Sequence, residues 1–195
     1  SNQWDIDNSN VNDLDYKQHI FAAYASYGYK FAKVTLKAGA RLEYTLNRGI
    51  SKSPSGNIEF DNSNFNIVPY FNASWQIDSR NMLSASYTRR LGRPSVDYLN
   101  PYIFEETPYS KMHGNPDLRT VVSDAITLTY RTRGDSWDLT ARTYGSLCNN
   151  KIEYLSNVYP DGIKISTYEN AVKYNHIDEM LSFNWSPGKR FSLQA

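Results

Sequence analysis

The 195-residue chain contains a single cysteine, Cys148, only three histidines, and almost no net charge, with 21 Lys+Arg against 20 Asp+Glu for a formal +1. One thiol excludes an internal disulfide framework and any cysteine-rich zinc site. The balanced charge excludes the broad positive field with which a dedicated nucleic-acid binder neutralises phosphates. No run approaches the ~20 consecutive apolar residues that a membrane helix requires. A helical membrane protein is therefore excluded. A membrane β-barrel is not, because strands that alternate apolar and polar residues give almost no hydropathy signal. Nor is the chain disordered, with 40% hydrophobic and 21% charged residues.

Catalytic and metal-binding chemistry are also sparse. His19, His113 and His176 stand far apart with no Glu or Cys at ligand spacing, so they form no metal motif. Asp5-x-Asp7-x-Ser9 opens like a calcium loop, but Asn10 stands where the loop needs glycine and Tyr16 where it needs glutamate. An Asx-rich turn explains the same residues. Ser146-Leu147-Cys148 offers a thiol with no local base. There is no nucleophile elbow and no phosphate-cradling glycine loop. The expectation is a chain without catalytic residues, metal or cofactor.

What is present is alternation. From Val34 the even positions read Val, Leu, Ala, Ala, Leu, Tyr, while the odd positions read Thr, Lys, Gly, Arg, Glu. A period of two sustained this long predicts a strand with one apolar face. Similar patterns predict strands over 19–30, 65–75, 82–91, 124–133, 136–147 and 176–186, and Phe191 begins an eighth. Pro69 lacks an amide donor and predicts a bulge in its strand. The connections alternate in length. Short ones fall near Phe31, at Asp78-Ser79-Arg80-Asn81, at Gly134-Asp135 and at Ser186-Pro187-Gly188, whereas 45–64, 92–123 and 148–175 read as long loops. The last should extend outward as a hairpin turning at Pro160-Asp161-Gly162. Short turns at one end and elaborated loops at the other suit an antiparallel up-and-down meander, the pattern of outer-membrane barrels.

Alternation does not say which face is inside. A soluble sandwich buries its apolar face, and a membrane barrel shows it to lipid. Trp75, Trp137 and Trp185 each lie near a short turn and in register with the apolar residues, as in the aromatic belt at a membrane interface. They would equally fill the end of a sandwich core. Leu36, Leu42, Phe71, Leu139 and Phe183 share that apolar face. Arg41, Glu43, Asn72, Arg90, Arg131 and Arg142 occupy the polar one, which is a solvated exterior in a sandwich and a lumen wall in a barrel. Two functions stay open on these grounds, a barrel wall and a soluble all-β glycan-binding module whose tyrosines stack on sugars.

The stretch Tyr87-Thr88-Arg89-Arg90, Arg93-Pro94-Ser95, Leu99-Asn100-Pro101 and Gly114-Asn115-Pro116-Asp117-Leu118 resembles the barrel domain of TonB-dependent receptors, in the branch carrying these motifs in this order. The pairs around Ile20–Ala25 and Lys37–Glu43 are similar to that family's strand-turn-strand units. The resemblance implies a wall segment of a large outer-membrane barrel of about eight strands here, non-catalytic, that takes part in uptake of a scarce solute. It implies outer-membrane lipid, the remaining barrel and plug, the TonB complex and a small solute as partners, and no nucleic acid. Against that family's pattern of an N-terminal plug and a full barrel, this sequence reads as one partial barrel domain over 1–195, with an extended tail over 1–17, strands over 18–195 and no plug. Isolated, such a piece would self-associate through open edges and an uncovered apolar face. Arg41, Glu43, Asn72, Arg90, Arg93, Arg131 and Arg142 are the candidates for solute contact, and the tryptophans with Leu36, Phe71, Leu139 and Phe183 are the candidates for lipid contact. Arg89, Arg90 and Arg93 could instead pair with Asp97, Glu105 or Glu106.

Overall fold

The computed structural model describes residues 11–188 and 191–195. It is a single curled, half-barrel sheet of ten strands. The strands are β1 (Asp13–Phe31), β2 (Val34–Ser53), β3 (Gly56–Gln76), β4 (Asn81–Gly92), β5 (Phe104–Thr107), β6 (Ser110–Met112), β7 (Val121–Arg133), β8 (Trp137–Val158), β9 (Lys164–Gly188) and β10 (Phe191–Gln194). One helical turn, α1 (Val96–Leu99), interrupts them. The sheet runs β1-β2-β3-β4-β7-β8-β9-β6-β5, with β10 also on β9. All neighbours are antiparallel except β6 and β9, which pair in parallel.

Four expectations are corrected. The count is ten strands rather than about eight, because β5 and β6, of 4 and 3 residues, are too short to show a period. Residues 45–64 are not a loop. They continue β2 and β3 into a long hairpin paired down to Ser53↔Gly56, where Arg48 and Lys52 interrupt the face of Leu46 and Ile50, Ile58 and Phe60 enter the other face, and no clean alternation marks the strands. The tail over 1–17 is shorter, since β1 already pairs at Asp13↔Lys52. Pro69 makes no bulge. It pairs in register with Ala40, and the ladder to β4 begins one residue later at Tyr70↔Thr88, so its missing donor costs no sheet hydrogen bond. The 148–175 segment does extend β8 and β9 outward, turning where Gly162 adopts φ 80.

Short turns close one end. Asp78 accepts the amide hydrogens of Arg80 at 2.7 Å and Asn81 at 2.9 Å, a side-chain staple for the β3–β4 turn. The Asn81 side chain and these amides hold the Asp78 carboxyl below the ordinary carboxylate range. Arg80 then reaches Asp135 at 2.8 Å, tying two neighbouring turns together. The β1–β2 turn is less well matched. Ala32 sits at φ 48, a left-handed conformation that costs an L-residue about 1 kcal/mol. Ala32→Gly should therefore raise stability by about 1 kcal/mol, measured by urea unfolding of the lipid-reconstituted protein. An unchanged midpoint would show that the turn relaxes without strain.

The core is inverted. Leu36, Leu42, Phe65, Ile67, Phe71, Leu128, Leu181 and all three strand tryptophans are exposed, whereas Glu43, Thr45, Asn47 and Ser51 are buried. No second sheet covers the apolar face among the described residues, so the sandwich reading is corrected. Cover lies on the opposite side, where residues 93–120 fold across the polar face.

Candidate functional site

The register assigns every strand residue to a face. On the polar, inner face Lys37, Asn72, Ser86, Thr127, Tyr144 and Asp178 stand side by side across six strands. Arg41, Arg90, Arg131 and Arg142 share this face. Arg90, Arg131 and Arg142 make no ion pair with any described residue. On the bare, outer face the row Val34, Trp75, Leu83, Tyr130, Ala141, Leu181 runs beside the cross-strand pair Trp137↔Trp185. Leu36, Phe71, Leu139 and Phe183 lie on that face as well.

Sequence reasoning missed a second aromatic row. Phe21, Tyr44 and Phe65 are cross-strand neighbours on the outer face, with Tyr87 further along it. Phe21 is ten residues from Phe31 at the other end of β1. At about 3.3 Å per residue and a tilt of about 40° that spans about 25 Å, the height of a barrel's hydrocarbon band. Glu179, beside Thr143, lies inside this band, as do Arg89 and Asp124, which pair with each other on the outer face of β4 and β7.

The loop over 93–120 organises the mouth end of the inner face. Glu43, 3% exposed, accepts from Arg93 and, at 2.7 Å, from Arg41. Arg93 therefore leaves the candidate pairs Asp97, Glu105 and Glu106 and binds a strand carboxylate instead. Arg89 does likewise, forking onto Asp124 at 2.8 and 3.0 Å while the Tyr87 hydroxyl donates to the same carboxylate at 2.6 Å. Leu99 and Leu118, each 1% exposed, form a small apolar core between loop and sheet. At about 1.5–3 kcal/mol per buried leucine, this pair supplies much of the loop's attachment.

Asparagines do the remaining fastening. Asn100 donates to Asn12 at 2.7 Å, which in turn donates to Ser51 at 2.8 Å. Asn62 on β3 donates to the carbonyls of Pro116 at 2.7 Å and Leu118 at 3.1 Å. Asn115 donates to the Tyr168 carbonyl at 3.0 Å. Asn150 and Asn170 imitate a strand partner for the descending arm, each bonding both an amide and a carbonyl of the segment 119–122. Gly114 fits because its amide donates to the Asn100 carbonyl at 2.7 Å. A Cβ there would lie 2.6 Å from two backbone oxygens. Tyr98 stacks on Tyr168, ring centroids 4.0 Å apart, and burial pushes the Tyr168 phenol above its ordinary range. Each motif from Arg93 to Leu118 thus serves one object, a shaped loop closing over a polar wall.

Thr45 Oγ1 and Asn66 Nδ2 are buried beside Glu43 without a hydrogen-bond partner in the described protein. The histidines are dispersed. His19 lies on the outer face, His113 in the loop with Nδ1 2.7 Å from the Gly114 carbonyl, and His176 on the inner face, 3.6 Å from Asp178 and stacked on Tyr174. Asp5, Asp7 and Ser9 lie outside the described residues.

A long-stranded sheet with short turns at one end, elaborated segments at the other, a bare apolar band and a polar inner face defines the wall of a membrane β-barrel. The chain belongs to the outer membrane protein beta-barrel family, whose family model matches residues 1–195, and its place is the bacterial outer membrane. Comparison with curated protein sequences gives no significant match. Among solved structures it is similar to the Serratia marcescens hemophore receptor HasR, determined as a double mutant with its hemophore HasA and heme, at 14% identity and TM-score 0.71 over 87% of this chain and 32% of that one. The copper transporter OprC is similar at 11% identity and TM-score 0.71 over 92% and 28%. The outer membrane transporter YddB from Escherichia coli is similar at 16% identity and TM-score 0.58 over 89% and 31%. The fold is that of the barrels of TonB-dependent receptors, and the chain spans about a third of the length of these structures.

Proposed function

We propose that this chain supplies part of the wall and mouth of an outer-membrane transporter that takes up a scarce solute in a TonB-dependent cycle, and that it catalyses no reaction. The observation that carries the reading is the inverted sheet, with an uncovered apolar band on one face and a buried polar layer under an ordered loop on the other. The bare face meets lipid through Leu36, Phe71, Leu139, Phe183 and the tryptophans Trp75, Trp137 and Trp185. The inner face offers Asn72, Arg90, Arg131 and Arg142 to solute and plug. Arg41, Glu43 and Arg93 hold the loop and act on solute through its shape. Partners on this reading are outer-membrane lipid, the rest of the barrel with its plug, the TonB complex and a small solute. Arginines without an ion-pair partner favour an anionic or strongly hydrogen-bonding solute.

The test is uptake by cells carrying the intact protein. Arg131→Leu with Arg142→Leu should leave outer-membrane yield unchanged and alter growth on one limiting nutrient out of a panel of metal chelates, haem, vitamins and oligosaccharides. Unchanged growth on every nutrient whose uptake depends on the intact protein would overturn the assignment of the inner face to the solute path.

A further inference from the structure

We propose that the mouth end of this chain captures a short, uncharged peptide, which adds as a strand between the free edges of β3 and β5. The inference deepens the proposed function by naming the class of solute, and it rests on that reading of the loop end as the mouth. Strand β5 ends the path of the sheet and pairs with β6, so its other edge carries no strand among the described residues. Strand β3 pairs with β2 from Gly56 to Trp75 but with β4 only from Tyr70 down. The loop fastens to β3 at Asn62, and the edge over 56–61 stays open above it. Five strands separate β3 from β5 in the sheet order. The curl nevertheless brings both edges to one groove of about 390 Å³, lined by Ser55, Gly56, Asn57 and Ile58 on one side and by Ile103 and Glu105 on the other.

The shape of the groove decides the occupant. Asn57 and Ile58 are neighbours with side chains on opposite faces of β3, yet both line it, so the groove runs along the strand's edge rather than over a face. A Cβ built on Gly56 would meet no atom within 4 Å, so there is room beside the backbone itself. Unpaired edges present amide and carbonyl groups at strand spacing, and an extended peptide between two of them can bond to both. Natural edges are often blunted with proline or lysine, and neither occurs over 56–61 or in β5. Glu59 and Asp61 project on the outer face beside Ile50 and Arg48 and leave the edge clear. With four residues in β5, at about 3.3 Å each, the slot takes about four residues of peptide. Charge is balanced within the walls. Glu105 and Lys111 pair with each other at 2.7 Å, so the lining offers no free charge to an anion or a metal. Ile58 and Ile103, both exposed, give the peptide's side chains an apolar contact. An oligosaccharide fits less well, because its hydroxyls do not repeat at the spacing of a strand.

Peptide retention by the intact protein in lipid nanodiscs tests this. The probe is a pool of uncharged hexapeptides of valine, isoleucine, serine and threonine, offered beside the same pool N-methylated at every second residue. The plain pool should be retained, and N-methylation should weaken retention about thirtyfold, the effect of two lost backbone bonds. Ile58→Lys with Ile103→Lys sets a lysine on each side of the groove and should lower retention of the plain pool about tenfold. Val158→Lys, exposed at the end of β8 and outside the groove lining, should leave it unchanged. No retention of the plain pool, equal retention of the methylated pool, full retention by the double-lysine variant, loss in Val158→Lys, or preferential retention of uncharged oligosaccharides would each overturn the proposal. Retention is read without transport, so a failed growth test would count against the solute path of the inner face and leave the peptide groove standing.

Discussion

Arg93→Ala is expected to release the loop over 93–120 from the sheet and to weaken the protein by about 3 kcal/mol. Glu43 is almost wholly enclosed, and its carboxylate is neutralised by Arg93 from the loop and Arg41 from its own strand. Removing one partner of a buried ion pair leaves a charge that protein no longer compensates, at a cost of about 3–5 kcal/mol. Arg41 remains, half exposed, so the lower end of that range applies. Exposed pairs are worth far less, about 0–1 kcal/mol, so Arg80→Ala at the opposite end should have little effect.

The consequence should be local. Leu99, Leu118 and the asparagine ties also hold the loop, so it should open rather than the sheet unfold. A loss of about 3 kcal/mol raises the open population roughly a hundredfold. Hydrogen exchange at Gly114 and Asn115, whose amides bond the Asn100 and Tyr98 carbonyls, reads it directly. Glu43→Gln should cost less than Arg93→Ala, because a neutral amide in the same place needs no counter-charge. In the double variant, most of the cost of Arg93→Ala should vanish, and this non-additivity distinguishes a charge effect from lost packing. Strictly additive costs would assign the loop's attachment to its leucines and asparagines alone.

How much of this was legible depended on whether a residue's role was local. The face of Leu36 or Trp75 follows from counting by two along its own strand, and the turns at Asp78 and Gly134 announce themselves through turn-forming residues. Beyond Tyr44 that signal fails. Asn47, Ser51 and Asn62 are polar on a buried face, Arg48 and Asp61 are polar on an exposed one, and the outward hairpin reads as loop. The candidate site suffered most where partners are distant in sequence. Arg93 and Glu43 were both singled out as candidates for solute contact, yet they are 50 residues apart and bind each other. Asn62, Asn150 and Asn170 carry no local mark at all, because an asparagine that completes another segment's backbone bonding looks like any loop asparagine until the loop is in place. The motifs around Leu99-Asn100-Pro101 and Gly114-Asn115-Pro116 were recognisable as a pattern, but their joint purpose needed the folded loop.

Phe71 and Asn72 are adjacent in sequence and lie on opposite faces, which makes them the cleanest test of that inversion. Phe71→Arg should cost about 2–4 kcal/mol in lipid, the penalty for a cationic side chain near the midplane of a barrel's outer face. Phe71 is four residues from Trp75, and it pairs with Ala38 and Tyr87, so no carboxylate stands opposite to receive the guanidinium. Leu139→Arg should cost less, because Leu139 is two residues from Trp137, and a long side chain there reaches water. Glu179 and Asp124 show that the band tolerates acidic residues, Asp124 with Arg89 as its counter-charge, consistent with the smaller penalty for carboxylates on lipid-facing strands. Asn72→Leu should change stability by about 1 kcal/mol or less, because the inner face there is open and polar and neither loses nor gains a hydrocarbon contact. The pair is read by urea unfolding of the reconstituted protein beside its folded yield in cells. A sheet whose apolar face packed against protein would give a different order. Phe71→Arg would then fail to fold in detergent as well as in lipid, and replacing phosphatidylcholine by detergent would not rescue it. Rescue by a thinner, more water-permeable micelle, with Asn72→Leu unaffected in both, is the result that only a lipid-facing Phe71 produces.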